Sequence, residues 1–238
     1  GRLPEPQEIV EFINAFFAKR EGDLRGLKVL VTAAGTREPI DPVRFVGNRS
    51  SGKMGYAVAQ MAAERGAEVL LVSGPSALAA PANVRTVKVE TTNEMLEACV
   101  NAYAEMDIVI KAAAVADYRV AEIATQKIKK TNDNDELTLK LVKNPDIIAS
   151  VAHLTANRPF VVGFAAETQN VAEYAKSKLQ RKNLDMICAN DVSGGQVFGQ
   201  DQNALHLFWQ NGEKILPLAE KGKLAELLVT EIVERYRK

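Results

Sequence analysis

The sequence predicts an α/β fold: a Rossmann-like open sheet, mostly parallel, with helices on both faces and a small arm or lid beside it. Three observations carry that expectation. From Lys28 onward short apolar runs alternate with segments of helical period, the pattern of parallel strands joined by right-handed crossovers. The first run, Lys28 to Val31, leads through a polar turn of 24 residues, Thr32 to Gly55, directly into an amphipathic helix, Tyr56 to Arg65. After Ala114 the alternation stops, and it resumes only past Lys143.

In order along the chain, GRLPEP is a linker. Gln7 to Arg20 places Ile9, Phe12, Ile13, Phe16 and Phe17 at helical spacing, so a helix should pack on the domain before it begins. Residues 1–27 are therefore linker and helix, and 28–238 form the main α/β domain. Strands are expected at VLV (29–31), VLLVS (69–73), VRTVKVE (84–90) and DIVIKAAA (107–114), with helices after Gly52 and from Asn93. Val115 to Glu136 has no sustained period and ends in a polar cluster; Leu137 to Val142 then alternates as a strand should. The stretch 115–144 thus reads as a lid and arm. A helix opened by Pro145 at its first position follows, then a strand at 159–167, a helix from Val171 and a strand at 185–191. ALHLFWQ and KILPL, joined around Asn211-Gly212, form a hairpin, and a last helix starts at Lys221.

Composition narrows the class of function. At 238 residues and 47% hydrophobic, the chain can bury a large core. Thirty basic residues balance thirty acidic ones, so no global field draws it to nucleic acid or to an anionic membrane. No run approaches the roughly 18 apolar residues of a membrane span, and no signal sequence opens the chain. A cytoplasmic protein is expected. Cys99, Cys188 and the two histidines fall at no metal or redox spacing.

The chemistry is expected at the carboxyl ends of the strands, where open α/β sheets collect ligands. In the long turn neither the dinucleotide G-x-G-x-x-G nor the P-loop pattern is present. Instead Ser50, Ser51 and Gly52 precede a helix whose N-H groups and dipole suit a phosphate. Four more clusters fall on the same side of the sheet. Ala113 to Tyr118 offers small residues, among them Ala114, and one acid, Asp117. Lys127, Lys129 and Lys130 could neutralise charge from a lid. Pro145, Asp146, Ile147 and Ile148 form a second helix start, and Gly163 to Thr168 presents Phe164 as a platform for a base. Lys178 and Lys182 follow one turn apart on one helical face. A NAD-type short-chain oxidoreductase is the competing reading, since Tyr174 and Lys178 stand at Tyr-x-x-x-Lys spacing. Against it, the second strand ends Val72-Ser73-Gly74-Pro75, without the acid that takes ribose hydroxyls.

Together, GTREPIDPVRFVGNRSSGKMG, AAAVADY, KIKK, KNPDI, GFAAET, the Lys178/Lys182 pair and NLDMICAND closely resemble the bacterial phosphopantothenate-cysteine ligases, or phosphopantothenoylcysteine synthetases, of coenzyme A biosynthesis. The likeness runs from Lys28 to the C-terminus. It implies a two-step reaction in which CTP, with Mg2+, activates the carboxylate of 4'-phosphopantothenate as an acyl-cytidylate, and L-cysteine displaces CMP. It also implies a homodimer, using the 115–144 arm, and an N-terminal flavin-dependent decarboxylase in the full-length chain, with no flavin in this segment. Carried over, it assigns Asp117, Lys127, the turn Pro145, Asp146, Ile147, Ile148, and Phe164, Lys178 and Lys182 to CTP. Asn48, Lys127 and Arg44 become catalytic, Ser50, Ser51, Gly52 and Ala114 bind phosphate or substrate, and Asp117 is a weak candidate for magnesium.

Overall fold

A computed structural model of the chain describes residues 5–10, 12–13, 22–130, 136–167, 169–191 and 202–238. Phe16 and Phe17 of the expected first helix, the polar cluster at 131–135 and Thr168 lie outside them.

Eight strands form the main sheet. β1 (Lys28–Ala33), β4 (Glu68–Ser73), β5 (Arg85–Lys88), β6 (Ile108–Lys111), β9 (Phe160–Glu167) and β10 (Met186–Asp191) run parallel. The antiparallel β11 (Gln202–Trp209) and β12 (Gly212–Glu220) complete the order β12-β11-β10-β9-β6-β1-β4-β5. The order reverses at β1, whose Val31 stands between Leu71 of β4 and Ile110 of β6. Five of the six residues of β1 are buried, which is why the central runs read as continuously apolar rather than alternating.

Helices cover both faces. On one, α1 (Lys53–Glu64) and the C-terminal α5 (Lys221–Tyr236) bury Tyr56, Val58, Leu224 and Leu228 against Val29 and Val31. On the other, α2 (Thr92–Ala102) and the short α3 (Ile147–Ala152) pack Met95, Cys99 and Val151 on Leu30, Val109 and Val161. Beside them α4 (Val171–Arg181) seats Ala175 and Leu179 over Ile187 and Phe208. Alternate strand residues feed the two cores, as a pleated sheet requires. Gly55 lets α1 lie close on β1: a Cβ there would stand 2.5 Å from that of Ala33.

Two small antiparallel sheets stand apart from the main one. The polar turn folds β2 (Arg37–Pro39) against β3 (Phe45–Gly47), and the expected arm folds β7 (Tyr118–Val120) against β8 (Leu141–Lys143). The strand expected over Leu137 to Val142 is therefore shorter and later. β7 supplies only three partners, and Leu137 and Leu141 remain exposed, so no buried face holds a longer ladder. Pro145 is not the first residue of its helix either. Asp146 is the N-cap, its carboxylate accepting from Ala149 N at 3.2 Å, and Pro145 precedes the cap. Near the start, residues 6–10 and 12–13 are helical, but Val10 and Phe12 are 56% and 70% exposed rather than packed on the domain.

Candidate functional site

The carboxyl ends of β6, β9 and β10 open into a cleft of about 620 Å³. Its rim is the segment from Gly47 to Gly55, which joins β3 to α1. Gly52, at φ 80°, is the N-cap of α1, and no side chain caps that helix. Ser50 Oγ accepts from Gly52 N at 3.3 Å and Ser51 Oγ from Lys53 N at 3.4 Å, so the hydroxyls shape the loop itself. Met54 and Gly55 also line the cleft, which places the positive end of α1 against it. Opposite lie Lys111 to Val115, Asp117 and Gly163 to Ala166, with Lys178 and Lys182 closing one side.

Ten of the sequence-predicted residues meet here: Asn48, Ser50, Ser51, Gly52, Ala114, Asp117, Ile148, Phe164, Lys178 and Lys182. Asn48 donates its amide to Val115 O at 3.0 Å, tying the rim to the loop after β6. Phe164 packs partly on the core and partly lines the cleft. Five predicted residues do not line it. Ile147 belongs to the core, 3% exposed. Pro145 sets the turn before α3, and Asp146 is occupied as the cap of α3 and by an ion pair with Lys182 Nζ at 2.8 Å. Burial works to raise the Asp146 pKa, but the Lys182 and Ala149 bonds prevail and hold it below the usual carboxylate range. Lys127 is exposed. Arg44 faces Asp41, with an ion pair of 2.9 Å, and donates to Ile128 O at 2.6 Å.

Residues 24–236 match the family of the DNA/pantothenate metabolism flavoprotein C-terminal domain. The chain belongs to that family. It is 58% identical over 238 residues to the coenzyme A biosynthesis bifunctional protein CoaBC of Haemophilus influenzae, covering 100% of this chain and 59% of the relative, so it spans about three fifths of that protein's length. Among solved structures, the C-terminal domain of CoaBC matches with TM-score 0.76 at 42% identity, over 90% of this chain and 97% of that one. A Cab2 variant in complex with phosphopantothenate-cysteine shares the fold at 19% identity, with TM-score 0.74 over 98% of this chain and 95% of that one.

The chain also holds parts of the site that its sequence does not mark. Asp41 is 2% exposed, and its carboxylate accepts from Val43 N and Arg44 N at 2.8 Å each and from Ile128 N at 3.1 Å. Burial pushes its pKa up, yet those N-H groups and the Arg44 guanidinium outweigh it and keep the carboxyl ionised at lower pH. The KIKK segment is thereby anchored at Ile128 to the turn that carries Asn48. A second buried network fixes the loop after β6. Ala116 N donates to Thr36 Oγ1 and Ala116 O accepts from Asn144 Nδ2, both at 2.9 Å, and Asn144 N donates to Asp117 O at 2.8 Å. Thr92 joins the set by donating through N and Oγ1 to Glu38 Oε1, at 2.8 and 2.6 Å. Lys111 is the third omission, a cation at the end of a buried strand.

In the family domain the oxidoreductase reading loses its pair, because Lys178 lines the cleft while Tyr174 is 48% exposed outside it. Among the described residues no group of three or more His, Cys, Asp or Glu could hold a metal ion, and no helix is long and apolar enough to cross a membrane.

Proposed function

We propose that this domain catalyses CTP-dependent ligation of 4'-phosphopantothenate with L-cysteine to 4'-phosphopantothenoylcysteine, a cytoplasmic step of coenzyme A biosynthesis. One observation carries the reading. The cleft joins a helix N-terminus, lysines and the Asn48 amide around one space, and its described lining contains no histidine or cysteine. That inventory suits chemistry done by positioning and charge neutralisation rather than by a protein nucleophile.

In the first step a carboxylate oxygen of phosphopantothenate forms a bond to the α-phosphorus of CTP as the bond to pyrophosphate breaks. The anions crowd, and the N-terminus of α1 with Lys178 and Lys182 offsets their charge. Lys127 joins them from the KIKK segment, with Arg44 and Asp41 setting where that segment sits. In the second step the cysteine amine attacks the acyl carbon, a tetrahedral oxyanion forms, CMP leaves and the amine gives up a proton. Asn48, released from Val115 O, donates to that oxyanion. Phe164 provides the face for the cytosine, and the Pro145 to Ile148 turn positions it. Magnesium travels with the triphosphate; Mg2+ commonly binds through one or two carboxylates plus substrate phosphates, and Asp117 at the cleft wall fits that need.

The domain works as a homodimer through residues 115–144 and the neighbouring β2–β3 turn. Val43, Phe45, Tyr118, Ile123 and Leu141 are 44–62% exposed on these two small sheets and the loops beside them, apolar surface that a second copy would cover. The full-length protein carries an N-terminal flavin-dependent decarboxylase, a proposal supported by the bifunctional name of the relative and the share of it matched here. The test is pyrophosphate release from CTP with phosphopantothenate and no cysteine. Release shows acyl activation; a binding module without turnover gives none.

A further inference from the structure

Lys111 ends β6 on the cleft floor, level with Thr32 of β1 and Gly163 of β9. It shares its sheet face with Val109, which packs in the core beneath α2 and α3, so its stem lies among apolar groups while its end reaches the cleft. Among the described residues its Nζ has no hydrogen-bond or ion-pair partner; Asp146, whose charge reaches it, is taken by Lys182. A half-buried ammonium without a counter-ion is costly to keep unless a ligand supplies one.

We propose that Lys111 is a phosphate-contacting residue of the cleft, meeting an oxyanion of a phosphorylated substrate beside Lys178 and Lys182. The inference rests on the cleft being the substrate site. The oxyanion comes from either the CTP phosphate chain or the phosphate of 4'-phosphopantothenate. Burial and then the charge of Lys182 lower the Lys111 pKa to about 8, with Lys178 acting the same way and Asp146 and Asp117 opposing. A bound phosphate raises it again, so binding takes up a proton near pH 8. The affinity that Lys111 adds is full below the free pKa and is lost as pH rises through the bound one.

Titration calorimetry at pH 8 in two buffers of different ionisation enthalpy reads this directly. CTP with magnesium, 4'-phosphopantothenate and inorganic pyrophosphate are titrated separately into the parent, Lys111→Met and Lys111→Arg. Proton uptake of roughly half a proton is expected with one of the two substrates, and the substrate that shows it is the source of the oxyanion. Lys111→Met should lose that uptake and bind the same ligand about tenfold more weakly, the loss of one charge-assisted bond. Lys111→Arg, always protonated, should keep affinity without uptake. If neither variant differs from the parent in affinity or uptake for any titrant, the assignment is overturned. Absence of CTP binding with a Lys111-dependent response to pyrophosphate would instead leave Lys111 standing and overturn the CTP reading.

Discussion

Lys111→Met should stabilise the fold at neutral pH, because the position is tuned against stability. In the folded chain burial and then the charge of Lys182 lower the Lys111 pKa to about 8, from its ordinary value of 10.5 in the unfolded chain. A folded pKa below the unfolded one means that the unfolded state binds more protons between those limits, so stability rises with pH across them. Below pH 8 the full penalty applies. The separation of about 2.5 units corresponds to about 3 kcal/mol, an upper bound because water partly reaches the ammonium. Methionine has a similar length, carries no charge and suits a strand face shared with Val109 and a cleft wall shared with Ile148. Urea unfolding of parent and variant at pH 7 should show the variant ahead by up to about 3 kcal/mol, with the gap shrinking below about 1 kcal/mol at pH 10. A variant no more stable than the parent at pH 7, or a gap that does not change with pH, would refute the reasoning. Such a gain at the expense of ligand affinity is the usual exchange at a functional site.

The other expectations concern the cleft and its arm. CTP with magnesium at about a hundred times its dissociation constant should stabilise the fold by roughly 2.7 kcal/mol, with ATP far less effective; equal melting shifts would end the claim of cytidine selectivity. Lys127→Gln should slow pyrophosphate release without moving the melting curve, because the side chain is exposed; unchanged release would make Lys127 an ordinary surface charge. Sedimentation at micromolar concentration should show a dimer, and a species of 25.9 kDa alone would contradict it. Asn48→Asp should still bind CTP yet accumulate acyl-cytidylate in the presence of cysteine, detectable by mass spectrometry, since a negative charge replaces the donor to the oxyanion. Turnover at the parent rate would reduce Asn48 to a loop residue.

What could be seen in the sequence divides along the range of the interactions involved. The parallel strands were legible because burial on both faces leaves unbroken apolar runs such as Val69 to Val72 and Ile108 to Ile110. The Lys178/Lys182 pair was legible because a helical turn puts both on one face, and both reach the cleft. The β2–β3 and β7–β8 pairs were not, since three-residue strands are too short to show a period. Asp41 and Thr92 were missed for a different reason. Each looks like a local device, a turn aspartate and a residue beside a helix cap, whereas their partners Ile128 and Glu38 lie 87 and 54 positions away. Lys111 is the sharpest case. In sequence it is a single cation inside the apolar run expected as a strand over 107–114, and nothing local marks it as facing a cleft. Its character depends on burial in the fold and then on Lys182, which lies 71 residues later and reaches the cleft because β9, between β6 and β10, brings α4 alongside. Its local sequence carries a charge but not the neighbours that tune that charge. The sheet order supplies them, so the residues hardest to foresee here are those that the topology, rather than a motif, places at the cleft.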